Sequence, residues 1–250
     1  MRDSDALLSV SIIIPALNES DCLARSLRCL TTLDPSVLEV IVVDGGSCDD
    51  TVAIAQKFGA TTIMATQARR SLQMNLGAQQ ARGDILCFLH CDTIVPDDAI
   101  AVVTQTLANP KIACGGFISI MRGKTTTCWL TSVHNTLKTY YAPLLFHPWL
   151  FFFRGLRILF GDQVMFCRRQ DFLAVGGFDS TLEIMEEADL CIKLSKRGRI
   201  SQVNRIVESS DRRVAKWGAV KANFIYLAIG VLWGIGVSSK RLKRFYEDIR

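Results

Sequence analysis

Short apolar runs alternate with amphipathic segments through the first 110 residues of the chain. The apolar runs predict four buried strands, at 10–15, 37–44, 61–64 and 85–89. The segments between them carry apolar residues at the three- and four-residue spacing of helices. Strands and helices that alternate in this way form βαβ units around a parallel sheet, and ligands bind such a sheet at the carboxyl ends of its strands. The expected ligand positions are therefore those just after Ile14, Val43 and Leu89.

The alternation becomes less regular after about residue 110. The run "IACGGFISI" predicts a strand, "GDQVMFC" a turn and a strand, and "EEADLCIKLSKRG" an amphipathic helix. Residues 127–160 are rich in aromatic side chains. Because no repeat or flexible linker interrupts the chain, we expect one α/β domain at 1–215 with halves at 1–110 and 111–215, followed by an apolar and basic helical extension at 216–250.

The composition is that of a globular protein, with 49% hydrophobic and 21% charged residues. Nine cysteines are scattered along the chain without a Cys-x-x-Cys pair, as is typical of reduced thiols in a cytoplasmic protein. The opening "MRDSDALLSVSIIIP" carries Asp3 and Asp5 and its apolar run stops at Pro15, so it does not predict a secretory signal. We therefore expect a cytoplasmic location.

Charge is distributed unevenly, although the formal net charge is only +5. Residues 1–192 hold 15 Lys/Arg against 20 Asp/Glu, whereas residues 193–250 hold 14 against 4. A basic C-terminal part indicates an anionic partner such as a membrane surface, a nucleic acid or a phosphorylated ligand, or else a solvated basic face. The acidic first part and the lack of an aromatic-interleaved basic motif argue against nucleic acid.

Between Lys221 and Lys240 lie 18 uncharged residues, and "KRLKR" (240–244) follows directly. This length is at the lower limit for a bilayer span, and the glycines and serines within it disfavour one. The segment fits a buried helix pair, a homodimer interface, or a peripheral contact with the inner face of a membrane.

Two predicted strands end in polar or glycine-rich turns. The first leads into "PALNE" (15–19) and the second into "DGGSCDDT" (44–51). Asp44 can accept a hydrogen bond from a nucleotide base or ribose, and Gly45 lets the backbone approach a ligand closely. The same residues also suit ordinary turns with helix caps. The sequence contains neither G-x-G-x-x-G nor a complete Walker A loop, which excludes those two phosphate-binding motifs.

The fourth predicted strand ends in "HCDT" (90–93), a stretch that invites a metal-site interpretation. A zinc site from Cys87, His90 and Cys91 is disfavoured, because successive residues of a strand point to opposite faces and a fourth ligand is missing. Asp92 instead suits a hard cation such as Mg²⁺ or Mn²⁺, which takes one or two protein carboxylates and shares its shell with phosphates.

The motif "MEEADL" (185–190) opens a predicted helix with three acids, Glu186, Glu187 and Asp189. Acids in a first helical turn are stabilised by the helix dipole, and this alone explains them. A functional interpretation requires that one of them faces the same cleft as Asp92 and acts as a general base.

Five motifs in this order resemble the glycosyltransferases of family 2, which have the GT-A fold: "SIIIPALNE", "VIVVDGGSCDDT", "QMNLGAQQARGDILCFLHCDT", "GDQVMFCRRQDFLAVGGFD" and "MEEADL". The resemblance covers residues 9–215. The "FLHCDT" and "GDQ" variants look like a subgroup often associated with arsenosugar biosynthesis gene sets. The family implies a mostly parallel central sheet flanked by helices, with a nucleotide-sugar half at 1–110 and an acceptor half at 111–215.

The resemblance also implies roles for individual residues. The nucleotide pocket would be lined by Pro15, Ala16, Asn18, Glu19, Asp44 and Gly45, supported by Asp84. The nucleotide sugar would be bordered by Arg70, Gln73 and Asn75. The family's Asp-x-Asp motif appears as His90-Cys91-Asp92, so that Asp92 would hold Mg²⁺ or Mn²⁺ and His90 replaces the first aspartate. The base would be Glu187 of the Glu186-Glu187 pair or else Asp189, and the diphosphate would be contacted by Arg212 and Arg213.

The implied reaction is a metal-dependent transfer with inversion, from a UDP- or GDP-linked sugar to the hydroxyl of a small or lipid-linked acceptor. Since two positions depart from the family's aspartates, the alternative is a catalytically impaired nucleotide-sugar-binding or scaffold protein of the same fold. A nucleotidyltransferase is disfavoured, because the expected Gly-rich loop with Lys or Arg is missing after the first strand.

Overall fold

The computed structural model describes residues 8–123 and 126–245 of the 250-residue chain. The first seven residues and the last five residues of the predicted extension lie outside the described part. Seven strands form one sheet in the order β3-β2-β1-β4-β6-β5-β7. Their bounds are β1 Val10–Ala16, β2 Glu39–Asp44, β3 Thr61–Met64, β4 Ile85–Phe88, β5 Ile112–Arg122, β6 Phe166–Arg168 and β7 Arg199–Ser210.

Helices connect and cover these strands. Their bounds are α1 Ser20–Leu30, α2 Thr51–Lys57, α3 Arg70–Gln80, α4 Ala99–Ala108, α5 Trp129–Phe146, α6 Pro148–Arg154, α7 Arg169–Ala174, α8 Glu186–Leu194, α9 Arg212–Trp217, α10 Ala219–Gly234 and α11 Ser239–Leu242. Short 3-10 turns lie at Gly161–Gln163 and Lys243–Phe245. Helices that follow β1, β2, β3 and β4 confirm the predicted alternation.

The sheet is mostly parallel, as predicted. β1 pairs in parallel with β2 and β4, β2 with β3, and β5 with β7. Only β6 runs against its neighbours, β4 and β5. The mixed sheet flanked by helices confirms the predicted α/β class.

Both faces of the sheet are covered by core. Ile12 and Ile14 of β1 pack on one side with Leu23 and Leu27 of α1. Ile13, between them, points to the other side and packs with Met74 of α3. Alternate residues of a strand point to opposite faces, so a strand buried on both sides reads as a continuous apolar run.

Two parts of the fold did not follow from the sequence pattern. The aromatic segment folds into α5 and α6, and "RISQVNRIVESS" forms β7, the longest strand, which was not predicted. α10 lies alongside α5 in the same direction, because Asn223 near its start contacts His134 while Gly234 at its end packs on Phe146. Within the described residues, no helix has the length and apolarity needed to cross a bilayer.

Candidate active site

A cleft of about 500 Å³ opens at the carboxyl ends of β1 and β4. Pro15, Ala16 and Glu19 line it after β1, and the His90–Asp92 turn lines it after β4. The other walls come from the starts of α3 and α8, the 3-10 turn at 161–163, the α9 start, α5 and α10. The cleft therefore lies at the carboxyl ends of the strands, where the strand pattern predicted a ligand.

Asp92, Arg212 and Glu19 form an ionic group on one side of the cleft. The Arg212 guanidinium donates to Asp92 Oδ2 at 2.8 Å and to Glu19 Oε2 at 3.0 Å. Burial opposes the charge on Arg212, but its contacts with Glu19 and Asp92 outweigh this effect and raise the pKa of the guanidinium above its ordinary value. A permanent positive charge is thus held between two carboxylates at the end of the sheet.

Glu187 lines the same cleft, in the first turn of α8. Met185, at a φ of 70°, turns the chain into this helix, so that Glu186 and Glu187 open it at the cleft. Burial and, to a lesser extent, the neighbouring Glu186 raise the pKa of Glu187 to about 8, although Arg70 opposes the shift. Among the described residues, Glu187 Oε1 is buried without a hydrogen-bond partner.

His90 lies beside Glu187, with Gly161 between them. A Cβ on Gly161 would fall 2.6 Å from Glu187 Oε1 and also within clashing distance of the His90 ring. His90 Nε2, like Glu187 Oε1, is buried without a hydrogen-bond partner in the described part of the chain. Burial, with the charges of Arg70, Arg213 and Arg212, holds the pKa of His90 well below its ordinary value. The imidazole is therefore neutral where it faces the carboxyl group.

Glu186 also faces the cleft, and burial raises its pKa, which Arg70 partly offsets. Asp189 is not among the residues that line the cleft, because two residues after Glu187 it points to another side of α8, where it pairs with Lys193 at 2.8 Å. The prediction that Asp189 could serve as the base is therefore wrong for this geometry.

The turn after β2 departs from the predicted nucleotide pocket. Asp44 is fully buried, and its carboxylate accepts hydrogen bonds from Gly46 N and Ser47 N at 2.8 Å and from the Ser47 hydroxyl. Gly45 packs against Ala68 instead of opening towards the cleft. The residues around this turn satisfy Asp44 internally, so neither Asp44 nor Gly45 lines the cleft, contrary to the prediction.

Asn18 supports the same turn. Its side-chain oxygen accepts from Cys48 N at 2.8 Å, and its backbone N–H donates to Ser47 Oγ at 2.8 Å. The Asn18 backbone has a φ of 53°, a conformation that asparagine tolerates better than most residues. Asn18 is therefore not among the residues that line the cleft, and its role here is to hold the turn in place.

Three further predicted residues have structural partners. The Gln73 amide, at the cleft wall, donates to Ala16 O and Val43 O at 2.8 Å and so ties β1 to β2. Asn75 exchanges two hydrogen bonds with the Phe178 backbone and lies outside the cleft. Asp84 accepts from Ser9 N and Oγ at the amino ends of β1 and β4, the opposite edge of the sheet. The predicted pocket roles of Asn75 and Asp84 are therefore wrong.

The donor set fits an oxygen-preferring divalent cation. Within residues 8–123 and 126–245, no three His, Cys, Asp or Glu side chains are grouped as a metal cluster. Cys91 is buried and its thiol donates to Pro15 O at 3.4 Å, so it does not support a zinc site. Asp92, with Glu19 across Arg212, offers one or two carboxylates, as Mg²⁺ and Mn²⁺ require when phosphates complete the shell.

The sequence pattern missed the wall that α5 and α10 contribute. Lys138 of α5 is buried at the cleft, where Nζ donates to Asn135 Oδ1 at 3.0 Å and lies 3.7 Å from the centre of the Phe160 ring. Burial lowers the pKa of Lys138 to about 8, and Asp162 opposes the shift. Tyr226 of α10 borders the same wall. The sequence signal that could have indicated this wall was Lys138, a lysine within an otherwise apolar and aromatic segment.

Comparison with known families agrees with this geometry. The model of the family described as glycosyl transferase family 2 matches residues 11–173. The chain belongs to glycosyl transferase family 2. Its matched range contains the turn after β1, the His90–Asp92 turn and the 3-10 turn at Gly161, so the sheet edge of the cleft lies within the family domain.

Curated relatives in the family match over shorter stretches. A glucosyl-3-phosphoglycerate synthase of Mycolicibacterium paratuberculosis is 34% identical over 97 residues, which are 35% of this chain and 30% of that protein. A 4,4'-diaponeurosporenoate glycosyltransferase of Staphylococcus haemolyticus is 32% identical over 118 residues, which are 44% and 31% of the two chains. The matches thus span about a third of the length of these relatives.

Solved structures share the fold over nearly the whole chain. The mannosyltransferase PcManGT from Pyrobaculum calidifontis, in complex with GDP-Man and Mn²⁺, superposes with a TM-score of 0.70 at 18% identity and covers 96% of this chain and 68% of that one. Glucosyl-3-phosphoglycerate synthase from Mycobacterium tuberculosis, in complex with Mn²⁺, UDP and phosphoglyceric acid, gives 0.62 at 20% identity, with 92% and 79% covered. Both confirm the GT-A type of α/β fold.

Proposed function

We propose that this family 2 member transfers a glycosyl group from a nucleoside-diphosphate sugar to an acceptor hydroxyl, with inversion at the anomeric carbon and Glu187 as the base. The observation that carries the proposal is the position of Glu187. It is a buried carboxyl group with a free oxygen, and it lines the same cleft as the ionic group formed by Asp92, Arg212 and Glu19. An in-line displacement needs a base and a diphosphate site that share one cleft.

The chemistry assigned to Glu187 is a single proton transfer. The acceptor hydroxyl attacks the anomeric carbon, the bond between that carbon and the diphosphate oxygen breaks, and the hydroxyl proton passes to the Glu187 carboxylate. The raised pKa of Glu187 makes its ionised form a stronger base than an ordinary carboxylate. Neutral His90 beside it adds no charge that would stabilise the ionised carboxylate and weaken it as a base.

The leaving diphosphate is assigned to the part of the cleft beside Arg212. Arg212 is held in the cleft by Asp92 and Glu19, and Arg213 lines the same cleft. A divalent cation bound at Asp92, with Mg²⁺ and Mn²⁺ as the candidates, would neutralise charge that develops on the diphosphate. Fixed guanidinium groups serve the same end and need no reorganisation during the reaction.

The proposed donor is a UDP- or GDP-linked sugar, and the proposed acceptor carries a hydroxyl group. Relatives and structural neighbours have names or bound ligands that include GDP-Man, UDP and phosphoglyceric acid, and we extend to this chain only a UDP- or GDP-linked sugar and an acceptor hydroxyl. The resemblance of "FLHCDT" and "GDQ" to the arsenosugar-associated subgroup stays a prediction from these two motifs.

The alternative is a nucleotide-sugar-binding protein with impaired catalysis, which His90 and Glu187 suggest because both replace family aspartates. A thermal-shift screen of UDP- and GDP-sugars with Mn²⁺ tests donor binding first, because a ligand of the folded state raises the melting temperature by mass action. The donor found in this way is then tested for release of the nucleoside diphosphate. Binding without transfer or hydrolysis would favour the alternative, and failure of every donor to bind would contradict both.

A further inference from the structure

The side of the molecule formed by α5, α6 and α10 is covered by exposed apolar side chains. We call this surface the apolar face. It consists of Leu130, Val133, Leu137, Tyr140 and Leu144 of α5, Trp149, Phe152 and Phe153 of α6, and Val220, Phe224, Leu227, Val231 and Ile235 at the α10 stripe. Phe224 is 71% exposed, and Trp149, Phe152 and Phe153 are each 66% exposed.

Helical spacing places the exposed apolar residues of each helix on one side of that helix. The α10 positions recur every three or four residues, whereas Ala222 and Ile229, on the opposite side of that helix, are buried. The exposed α5 positions recur in the same way, while Asn135 and Thr139 of α5 are buried. Since α5 and α10 run in parallel contact, both exposed stripes point away from the sheet and form one surface.

The apolar face exposes thirteen apolar side chains, which is unusual for a domain surrounded by water. Monomers rarely expose contiguous apolar patches larger than a few hundred Å² (roughly 300–600 Å² for the largest patch), and larger ones mark interaction sites. A surface helix normally carries polar residues on its outer face. α10 carries valine, phenylalanine, leucine and isoleucine there instead. The side chains of the apolar face are therefore suited to contact with a lipid or protein surface and not with water.

The charged residues around the apolar face indicate what kind of surface it binds. α5, α6 and α10 contain no Asp or Glu, and of their three Lys and Arg residues only Lys138 is buried, at the cleft. Lys221 of α10 and Arg154 of α6 are exposed at its margin, and Arg157 lies 5.1 Å from the centre of the Tyr140 ring. In a symmetric dimer these margins would bring like charges together, whereas an anionic surface would neutralise them.

We propose that the apolar face docks on an anionic lipid bilayer, with α5, α6 and α10 lying in the headgroup region. Apolar and aromatic side chains in the interface, flanked by Lys and Arg, are the two features that bind helices to such a surface. α10 has 16 residues and is about 24 Å long at 1.5 Å per residue. That length is short of the hydrocarbon core of about 30 Å, which agrees with a helix that lies on the bilayer and does not cross it.

The face adjoins the cleft through the same helices. Tyr226 and Ile229 on the inner side of α10, and Lys138 on the inner side of α5, line the cleft wall. Docking of the apolar face would therefore bring the cleft within one layer of helices of the lipid surface. The inference does not depend on the proposed transfer, because vesicle binding is measured without any substrate.

The test is flotation of the purified full chain with phosphatidylcholine vesicles that contain phosphatidylglycerol, compared with phosphatidylcholine alone. We expect the chain to float with the anionic vesicles and to bind several-fold less to the neutral ones. Phe224→Ser and Phe152→Ser should each weaken binding by about tenfold, since each removes an exposed aromatic group that docking would bury in the bilayer. Lys221→Glu should weaken it several-fold and only on anionic vesicles.

Matched controls are Met64→Ser and Leu38→Ser, which remove exposed apolar groups from the other end of the sheet. They should bind as the unchanged chain does, and a thermal melt should show that all variants are folded. Equal loss in the controls, or no flotation of the unchanged chain, would overturn the proposal. Light scattering tests the remaining alternative, a dimer. If the unchanged chain is a dimer that Phe224→Ser dissociates, and it does not bind vesicles, the apolar face contacts a second copy of the chain and the proposal is contradicted.

Discussion

The Arg212 guanidinium lies 2.8 Å from the Asp92 carboxylate and joins two segments that are 120 residues apart in the chain. Asp92 follows β4, at the centre of the sheet, and Arg212 follows β7, at its edge. Glu19, after β1, accepts from the same guanidinium. Three segments that the sequence places far apart thus meet in one ionic group at the cleft.

Asp92→Asn should abolish the Mn²⁺-dependent part of donor binding and reduce transfer by about 100-fold or more, since a charge-neutralising group is lost. The fold should persist, because Arg212 keeps its contact with Glu19. Thermal shift with and without Mn²⁺ measures binding, and nucleoside diphosphate release measures transfer. The matched control is Asp98→Asn, an exposed aspartate paired with Arg205 away from the cleft. If both variants retained the Mn²⁺ effect, the metal would lie elsewhere.

Gly161→Ala should reduce transfer strongly while leaving the chain folded. Its methyl group would stand 2.6 Å from Glu187 Oε1 and would clash with the His90 ring, so the base and its neighbour must move apart. A displacement of about 1 Å at a reacting group costs roughly 100-fold in rate. Gly230→Ala is the control, because it lies at the same cleft and its Cβ would meet nothing within 4 Å. Similar rates in the two variants would mean that the Glu187 position is not critical.

The rate of transfer should rise with pH through the neutral range. The pKa of Glu187 is raised to about 8 by burial and by Glu186, so the ionised base is scarce below that pH and becomes abundant above it. A pH profile of kcat/KM for the free protein measures this directly. A profile flat from about pH 6 to pH 9 would indicate that no group with this pKa takes part.

The same pKa predicts an effect on stability with the opposite sign. Glu187 has a pKa of about 8 when folded against 4.5 as its ordinary value, so the folded state holds a proton that the unfolded state loses between these limits. Its contribution is complete below the unfolded pKa and is lost as the pH rises through the folded one. Glu187→Gln, which stays neutral, should therefore be more stable than the unchanged chain at about pH 8 and should differ less at about pH 5. Urea unfolding at both pH values measures the difference.

The first half of the fold could be predicted because its signals are local. β1 to β4 are apolar runs buried on both faces, and the helices between them carry their own periodicity. β7 has no such apolar run, because it is the last strand of the sheet and Arg205 and Ile206 within it are exposed. Its partner β5 lies far from it in the sequence, so the pairing leaves no local signal. Its register with β5 is also shifted at two points, which weakens a period-two pattern.

The site could be predicted to the level of the strand ends but not of individual contacts. Asp92 and Glu187 face the cleft as expected. Asp44 occupies an equally suitable strand end, yet the backbone after it, with Gly46 at a φ of 96°, turns two amides onto its carboxylate. Lys138 reaches the cleft only because α5 packs across the end of the sheet. Both outcomes depend on the path of the chain in three dimensions, which residue type and spacing do not specify.

The measurement that bears most directly on the proposed reaction compares Glu187→Gln with Asp189→Asn in the transfer assay. Both acids lie in α8, but Asp189 pairs with Lys193 outside the cleft. Glu187→Gln should keep the thermal shift with donor and Mn²⁺ and lose about 100- to 10,000-fold in transfer, whereas Asp189→Asn should retain transfer within a few-fold. Near-normal transfer by folded Glu187→Gln would contradict the assignment of Glu187 as the base.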